Sequence, residues 1–188
     1  MTRAAVAGVG MHEFGRHPQA SLKDLARVAI VRALVDAGLG VKDVEAVYSA
    51  NALAGVLQGQ EQIRGQSVLR DVGIERVPVV NVENACAGAS TAFAQAATAI
   101  RAGDARVVLA VGFEKMFVAD TSRSLDALES AADLEIVAGL GLQFTAIYAM
   151  RVRARLAAGA LEPRHLLDVT VKSHRNGARN PTRSTGAR

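Results

Sequence analysis

Apolar positions in this chain follow two rhythms. Residues 77–82 (VPVVNV) form a short valine-rich run, the composition of a buried strand. Glu83 and Asn84 break it, and asparagine is a residue type that starts helices. From Ala85 to Ala102 nearly everything is small or helix-tolerant, and Gly103 stops the pattern, which predicts a helix over 85–102. That helix carries Ala87, Gly88, Ala89, Ala92, Ala94, Ala96, Ala97 and Ala99. Phe93 and Ile100 are its large apolar groups, and no charge appears before Arg101. A helix apolar all round is a buried one, and small side chains let it be sandwiched between layers.

The alternation continues along the chain. Residues 3–10 read as a first strand with an apolar stretch at 4–9, followed by a loop to Gln19. Ser21 opens a helix, with Asp24 in the acidic place of a capping box. Leu22, Leu25, Val28, Ala29, Ala33 and Val35 form its apolar stripe, and Gly38 ends it. Residues 44–49 predict a second strand, 51–59 a glycine-containing loop, and 61–72 a helix weakened by Gly65. Residues 105–111 are another unbroken apolar strand. Such alternation predicts an α/β fold, with a parallel or mixed sheet, helices on both faces and right-handed crossovers. Residues 112–132, with Ser122, Ser124 and Ser130, predict a partly exposed loop with one short helix. Helices follow near 143–157 and from Glu162 and Pro163 to Ser173 or Arg175, because proline suits a first helical turn. The polar end after Asn180, PTRSTGAR, predicts a frayed tail.

Composition narrows the class. The 188 residues are half hydrophobic with few aromatics, enough for one domain with an aliphatic core. No apolar run reaches the ~18 residues of a membrane span. His12, Glu13 and Arg16 arrive before any signal-peptide stretch. The single cysteine, Cys86, cannot close an internal disulfide, which fits a reducing, cytoplasmic compartment. The net charge of +4 is weighted toward the C-terminus. Arg151, Arg153, Arg155, Arg164, Lys172, Arg175 and Arg179 there could meet phosphates, although a solvated helix face is the plainer reading of exposed charge. Without interleaved aromatics or a recognised module, nucleic-acid binding is not expected. The stretch GVGMHEFG lacks the third glycine of a dinucleotide loop, and His12 and His17 lack further ligands, so no metal site is expected.

Cys86 is the candidate for chemistry. The predicted turn delivers its thiol from a strand to the head of a helix, where amides without intrahelical partners favour a thiolate. A thiolate is a nucleophile for covalent catalysis. A lone cysteine is also, by residue type, a small buried hydrophobe, and composition leaves both readings open.

The segments NVENACAGASTAF and RVVLAVGFEKM together resemble the nucleophile region of thiolases. The likeness is to the branch containing sterol carrier protein thiolases and bacterial lipid-transfer-protein thiolases, acetyl-CoA acetyltransferase-like enzymes. VAGVGMHEFGRHPQASLKDLA and VTVKSHRNGARNP resemble the same branch and occur in the same order. The resemblance implies a thiolase-like layered α/β/α half spanning 1–118, a mostly helical loop domain on the coenzyme A side at 119–180, and a tail at 181–188. It implies that the C-terminal thiolase half is absent.

By the same resemblance, Cys86 attacks an acyl thioester or a 3-oxoacyl-CoA and forms an acyl-enzyme, with its own amide contributing to an oxyanion site. Coenzyme A, or the enolate of acetyl-CoA, then takes the acyl group. Glu114 and Met116 in GFEKM shape the pocket, no cofactor is bound, and acyl-CoA is the substrate. The histidine and second cysteine that the family carries in its C-terminal half have no counterpart, and His174 belongs to the KSHRN block. The expectation is therefore a chain inactive or nearly so by itself. A homodimer is implied, and a partner subunit is open. Two other readings stay open: a non-thiolytic subunit related to steroid side-chain aldolases, and a generic α/β binding domain.

Overall fold

The computed structural model describes residues 3–137 and 143–182. The chain divides into two compact units, residues 1–12 with 16–127, and residues 13–15 with 128–188.

The first unit is built on three parallel strands, β1 (Ala46–Ala50), β2 (Val79–Val82) and β3 (Val108–Gly112), in the order β2-β1-β3. Their ends are level: Ala50 lies opposite both Val82 and Gly112. Helices α1 (Leu22–Ala37), α2 (Ala54–Gln58), α3 (Arg64–Val72) and α4 (Gly88–Ala102) complete this unit's connections.

The period-2 alternation of strands decides what each helix covers. Val47, Val79 and Val111 point to one face and pack with Leu22, Ala26, Ile30 and Leu34 of α1 and Val68 and Leu69 of α3. Tyr48, Ala50 and Val82 point to the other face and pack against Ala92 of α4. The result is the expected α/β/α layering, with a wholly parallel sheet. Val47 and Ile30 are essentially sealed from solvent, and each contributes about 1.5–3 kcal/mol by burial.

Local signals fixed the ends of α1 as read, but not its stripe: Leu22, Ala26, Ile30 and Leu34 are the buried positions, whereas Leu25, Val28, Ala29 and Ala33 are only partly buried and Val35 is exposed, because the sheet and α3 select which side of an apolar helix is covered. Ser21 accepts from the Asp24 amide at 3.1 Å, and Asp24 accepts from the Ser21 amide at 3.0 Å. Gly38 adopts φ 67° at the other end, where its N–H reaches Leu34 and Val35 carbonyls.

Four expected elements change. Among the described residues, 3–10 form no strand, because no ladder partner lies beside them there. Their glycines serve close approach instead: a Cβ on Gly8 would fall 2.5 Å from the Ala37 nitrogen, and one on Gly10 would collide with the Ala29 carbonyl. The 51–59 loop contains α2, closed by Gly59 at φ 75°. The helix expected from 61 begins at Arg64, after Ile63 at φ 47°. The helix expected over 85–102 is a 3-10 turn, Ala85–Ala87, followed by α4.

The second unit holds α6 (Leu134–Val137), α7 (Phe144–Ala157) and α8 (Pro163–Ala178), and α5 (Thr121–Glu129) crosses the division. The proline start of α8 is as the sequence indicated. Leu167, Val169 and Val171 are exposed on α8. The expected frayed tail lies largely outside the described residues. No helix among the described residues is long and apolar enough to cross a membrane.

Candidate active site

Three loops leave the level C-terminal edge of the sheet, the edge where open parallel sheets place their ligands. After β2 comes the turn with Cys86, after β1 comes Asn51, and after β3 comes Glu114. Two close packings hold these loops side by side. A Cβ on Gly88 would touch Ala50 at 3.4 Å, and one on Gly112 would press Ala89 at 3.0 Å.

The Cys86 turn is tightly determined. Ala85 takes φ 43°, a left-handed conformation that costs an alanine of order 1 kcal/mol. Its N–H donates to Glu83 Oε1 at 2.6 Å. The Asn84 side chain does not cap the helix: its Nδ2 donates across the turn to Thr91 Oγ1 at 2.9 Å. The Ala87 amide closes the turn on the Asn84 carbonyl at 2.9 Å. Cys86 is exposed, so the buried-hydrophobe reading does not hold in this chain. Among the described residues the thiol has no hydrogen-bonded base. His165 instead accepts from the Glu162 amide, and His174 pairs with the Thr170 carbonyl.

Burial of α4 is one-sided. Ala92, Ala96 and Ala99 are buried, whereas Phe93 is 54 % exposed. The apolar pattern all round the helix therefore has cover on one side only within these residues.

Glu114 is a structural clamp. Its carboxylate accepts from the Ala52 amide at 2.5 Å, the Leu53 amide at 3.3 Å and Asn51 Nδ2 at 3.1 Å. Partial burial raises its pKa above the ordinary range, while those amides, Arg64 and Asn51 oppose the rise. Asn51, 5 % exposed, also donates to the Phe113 carbonyl at 2.7 Å and accepts from the Ala54 amide. Arg64 donates to the Asn51 carbonyl at 2.9 Å. Asn51 and Arg64 were not singled out from sequence. An asparagine at the end of an apolar strand run was the available signal.

Met116 stands two residues beyond Glu114, and its carbonyl accepts from Ser124 Oγ at 2.7 Å. No hydrogen bond joins Cys86 to Glu114 among the described residues. The late basic residues lie on two helices of the second unit. Arg151, Arg153 and Arg155 are on α7, and Arg164, Lys172 and Arg175 are on α8, with Arg179 after it. Arg151 stacks over Tyr148, and Arg164 pairs with Glu162 at 2.9 Å. Among the described residues no cluster of histidine, cysteine or carboxylate side chains could hold a metal.

The thiolase N-terminal domain family matches residues 4–185. This chain belongs to the thiolase family. It is 33 % identical over 180 residues to an acetyl-CoA acetyltransferase of Methanocaldococcus jannaschii, covering 96 % of this chain and 45 % of that protein. It is 29 % identical over 188 residues to sterol carrier protein 2 of Gallus gallus, covering 95 % of this chain and 34 % of that protein. Among solved structures it resembles an Ltp2-ChsH2(DUF35) aldolase at 31 % identity and TM-score 0.47, covering 56 % of this chain and 26 % of that one. The thiolase chain thus spans about half the length, or less, of the curated relatives it matches.

Proposed function

We propose that this chain carries the nucleophile of a thiolase-type acyltransferase, and that Cys86 is that nucleophile. The observation that supports this most is an exposed thiol on a strained strand-to-helix turn at the C-terminal edge of the parallel sheet. The Cys86 sulfur attacks the carbonyl of an acyl-CoA, or the keto carbon of a 3-oxoacyl-CoA. In the first case the thioester bond to coenzyme A breaks, and the cysteine proton ends on the departing thiolate; in the second the bond between the keto carbon and the α-carbon breaks, and acetyl-CoA departs as an enolate that takes the proton. The Cys86 amide stabilises the oxyanion of the intermediate. Transfer of the acyl group to coenzyme A, or to an acetyl-CoA enolate, completes the cycle.

Turnover needs a proton acceptor at the substrate. The described residues place none against the thiol, so the chain acylates slowly and turns over poorly without further polypeptide. In this reading Glu114 holds the floor of the site by clamping residues 51–53, and Met116 contributes to the pocket wall. The division at 118/119, a coenzyme A role for the basic helices, a homodimer and a cytoplasmic location belong to the same proposal.

Incubation with acetyl-CoA followed by intact-mass measurement tests it. The expected result is the mass gain of one acetyl group, absent in Cys86→Ala. An unmodified chain, or equal modification of the alanine variant, overturns it.

A further inference from the structure

Glu83 lies between the end of β2 and the Cys86 turn, in an exposed position where a carboxylate ordinarily meets water or a cation. Among the described residues it pairs with no cation. Its carboxylate curls back instead and accepts from the Ala85 amide at 2.6 Å, a short, charge-assisted bond. Keeping a long, exposed side chain in that one arrangement costs rotamer freedom.

Ala85 needs such a holder. At φ 43° it is in the left-handed region that alanine avoids. The turn's other polar side chain, Asn84, is committed to Thr91 Oγ1, and that hydroxyl donates to the Ala87 carbonyl at 2.9 Å. The Ala87 and Gly88 amides close on the Asn84 and Ala85 carbonyls. Glu83 therefore supplies the side-chain bond to Ala85 itself. In this turn the amides of Ala85, Ala87 and Gly88 have acceptors, and that of Cys86 has none among the described residues. A peptide unit is planar, so the plane carrying the Cys86 N–H turns with the backbone angles of Ala85. Ala85 thus decides where that free donor points.

We propose that Glu83 is a positioning residue for acyl transfer at Cys86. By holding Ala85 left-handed, it aims the Cys86 amide at the oxygen of the carbonyl that the sulfur attacks. This role rests on the reading of Cys86 as the acyl acceptor. The negative charge of Glu83 does not itself favour an oxyanion nearby, so its benefit comes from the geometry of an acceptor oxygen, which glutamine also carries.

Two reactions of the thiol separate aim from reactivity. With p-nitrophenyl acetate the sulfur–acyl bond forms through an oxyanion, the ester C–O bond breaks, p-nitrophenolate departs and the thiol proton goes to buffer. Iodoacetamide alkylates the same sulfur with loss of iodide and no oxyanion. The ratio of the two rates, each corrected with Cys86→Ala, cancels changes in the exposure or ionisation of the thiol. Glu83→Ala is expected to lower this ratio about fivefold or more, and Glu83→Gln to recover it to within about twofold of the parent. Glycine adopts positive φ readily, so in an Ala85→Gly background Glu83→Ala should lower the ratio by less than about twofold. The one-bond Cα–Hα coupling of Ala85 in NMR, which differs between positive and negative φ, should change in Glu83→Ala and persist in Glu83→Gln.

An unchanged ratio or an unchanged coupling in Glu83→Ala overturns the proposal. So does a ratio that falls as far in Glu83→Gln, which assigns the effect to charge, or an equal fall in the Ala85→Gly background. A parent that is inert to acetyl-CoA yet shows the expected ratios overturns the acyltransferase reading and supports this role.

Discussion

Gly65→Ala tests how closely α3 must sit on the sheet. A Cβ at Gly65 would lie 2.6 Å from both Cβ and Oγ of Ser49 and 2.8 Å from Asn81 Oδ1. Ordinary contact begins near 3.4 Å, so the helix must retreat by several tenths of an ångström. The sheet cannot give way instead, because Ser49 is 1 % exposed on the central strand. Retreat also stretches the 2.7 Å bond from the Gly65 amide to Asn81 Oδ1. Overpacking of this kind costs about 1–3 kcal/mol, and the weakened hydrogen bond about 1 kcal/mol more. Alanine recovers up to about 1 kcal/mol of helix propensity, less in a first turn. The net expectation is a loss of about 1–3 kcal/mol. With a urea m-value of about 2 kcal/mol/M, the midpoint falls by roughly 0.5–1.5 M. Arg64 adjoins Gly65, so the same retreat draws its guanidinium from the Asn51 carbonyl. Adding Ser49→Gly removes two of the three close atoms and should recover part of the loss. A midpoint at or above that of the parent, or no recovery in the double variant, refutes the packing argument.

Further expectations concern the site loops and the first helix. Glu114→Ala leaves the Ala52 and Leu53 amides and Asn51 Nδ2 without their acceptor, and partial access to water limits the loss to about 1–2 kcal/mol in urea unfolding. Because folding raises the Glu114 pKa, its ionisation opposes folding. That contribution to stability is greatest below the ordinary value of 4.5 and declines as pH rises through the raised value, a slope that Glu114→Gln should flatten in pH-dependent melts. Asp24 shifts the other way, to about 2, first through its Ser21 hydrogen bonds. Its contribution is complete above 3.8 and is lost as pH falls through about 2, so a carboxyl-carbon NMR titration should show that low midpoint in the parent and a higher one in Ser21→Ala. Ser21→Ala should also cost about 1 kcal/mol through the lost cap. Asn84→Ala cuts the bond to Thr91 and should change the alkylation rate of Cys86 with little loss of overall stability.

Local chemistry made much of this fold legible. The capping box at Ser21 and Asp24, the glycine stops at 38 and 103 and the proline start at 163 act through neighbours in sequence. The valine-rich run at 77–82 likewise declared β2. The misread elements depend on distant partners. Residues 3–10 have strand composition, but a strand exists only when another backbone lies alongside. Gly8 and Gly10, which lack the spacing of a dinucleotide loop, permit close approach to α1 about twenty to thirty positions away, a role the sequence did not declare. The Glu114 carboxylate was placed near the site from a family motif. Its grip on Asn51 spans 63 positions, and no spacing rule discloses it.

This difference between local and distant determinants bears on how a chain of half a relative's length can present the thiol proposed as its nucleophile. The bonds that shape the Cys86 turn run from Glu83 to Ala85, Asn84 to Thr91 and Ala87 to Asn84, all within nine residues. Its support comes from Ala50 and Gly112 on neighbouring strands of the same unit. The strain at Ala85 is thus held by contacts this chain contains, and the exposed thiol needs no further polypeptide to take its position. Proton transfer is different, because the described residues bring no acceptor to that sulfur. On the proposed reading of Cys86, positioning of the nucleophile and completion of the reaction therefore separate physically, and that proposal has the described residues supplying the first without the second.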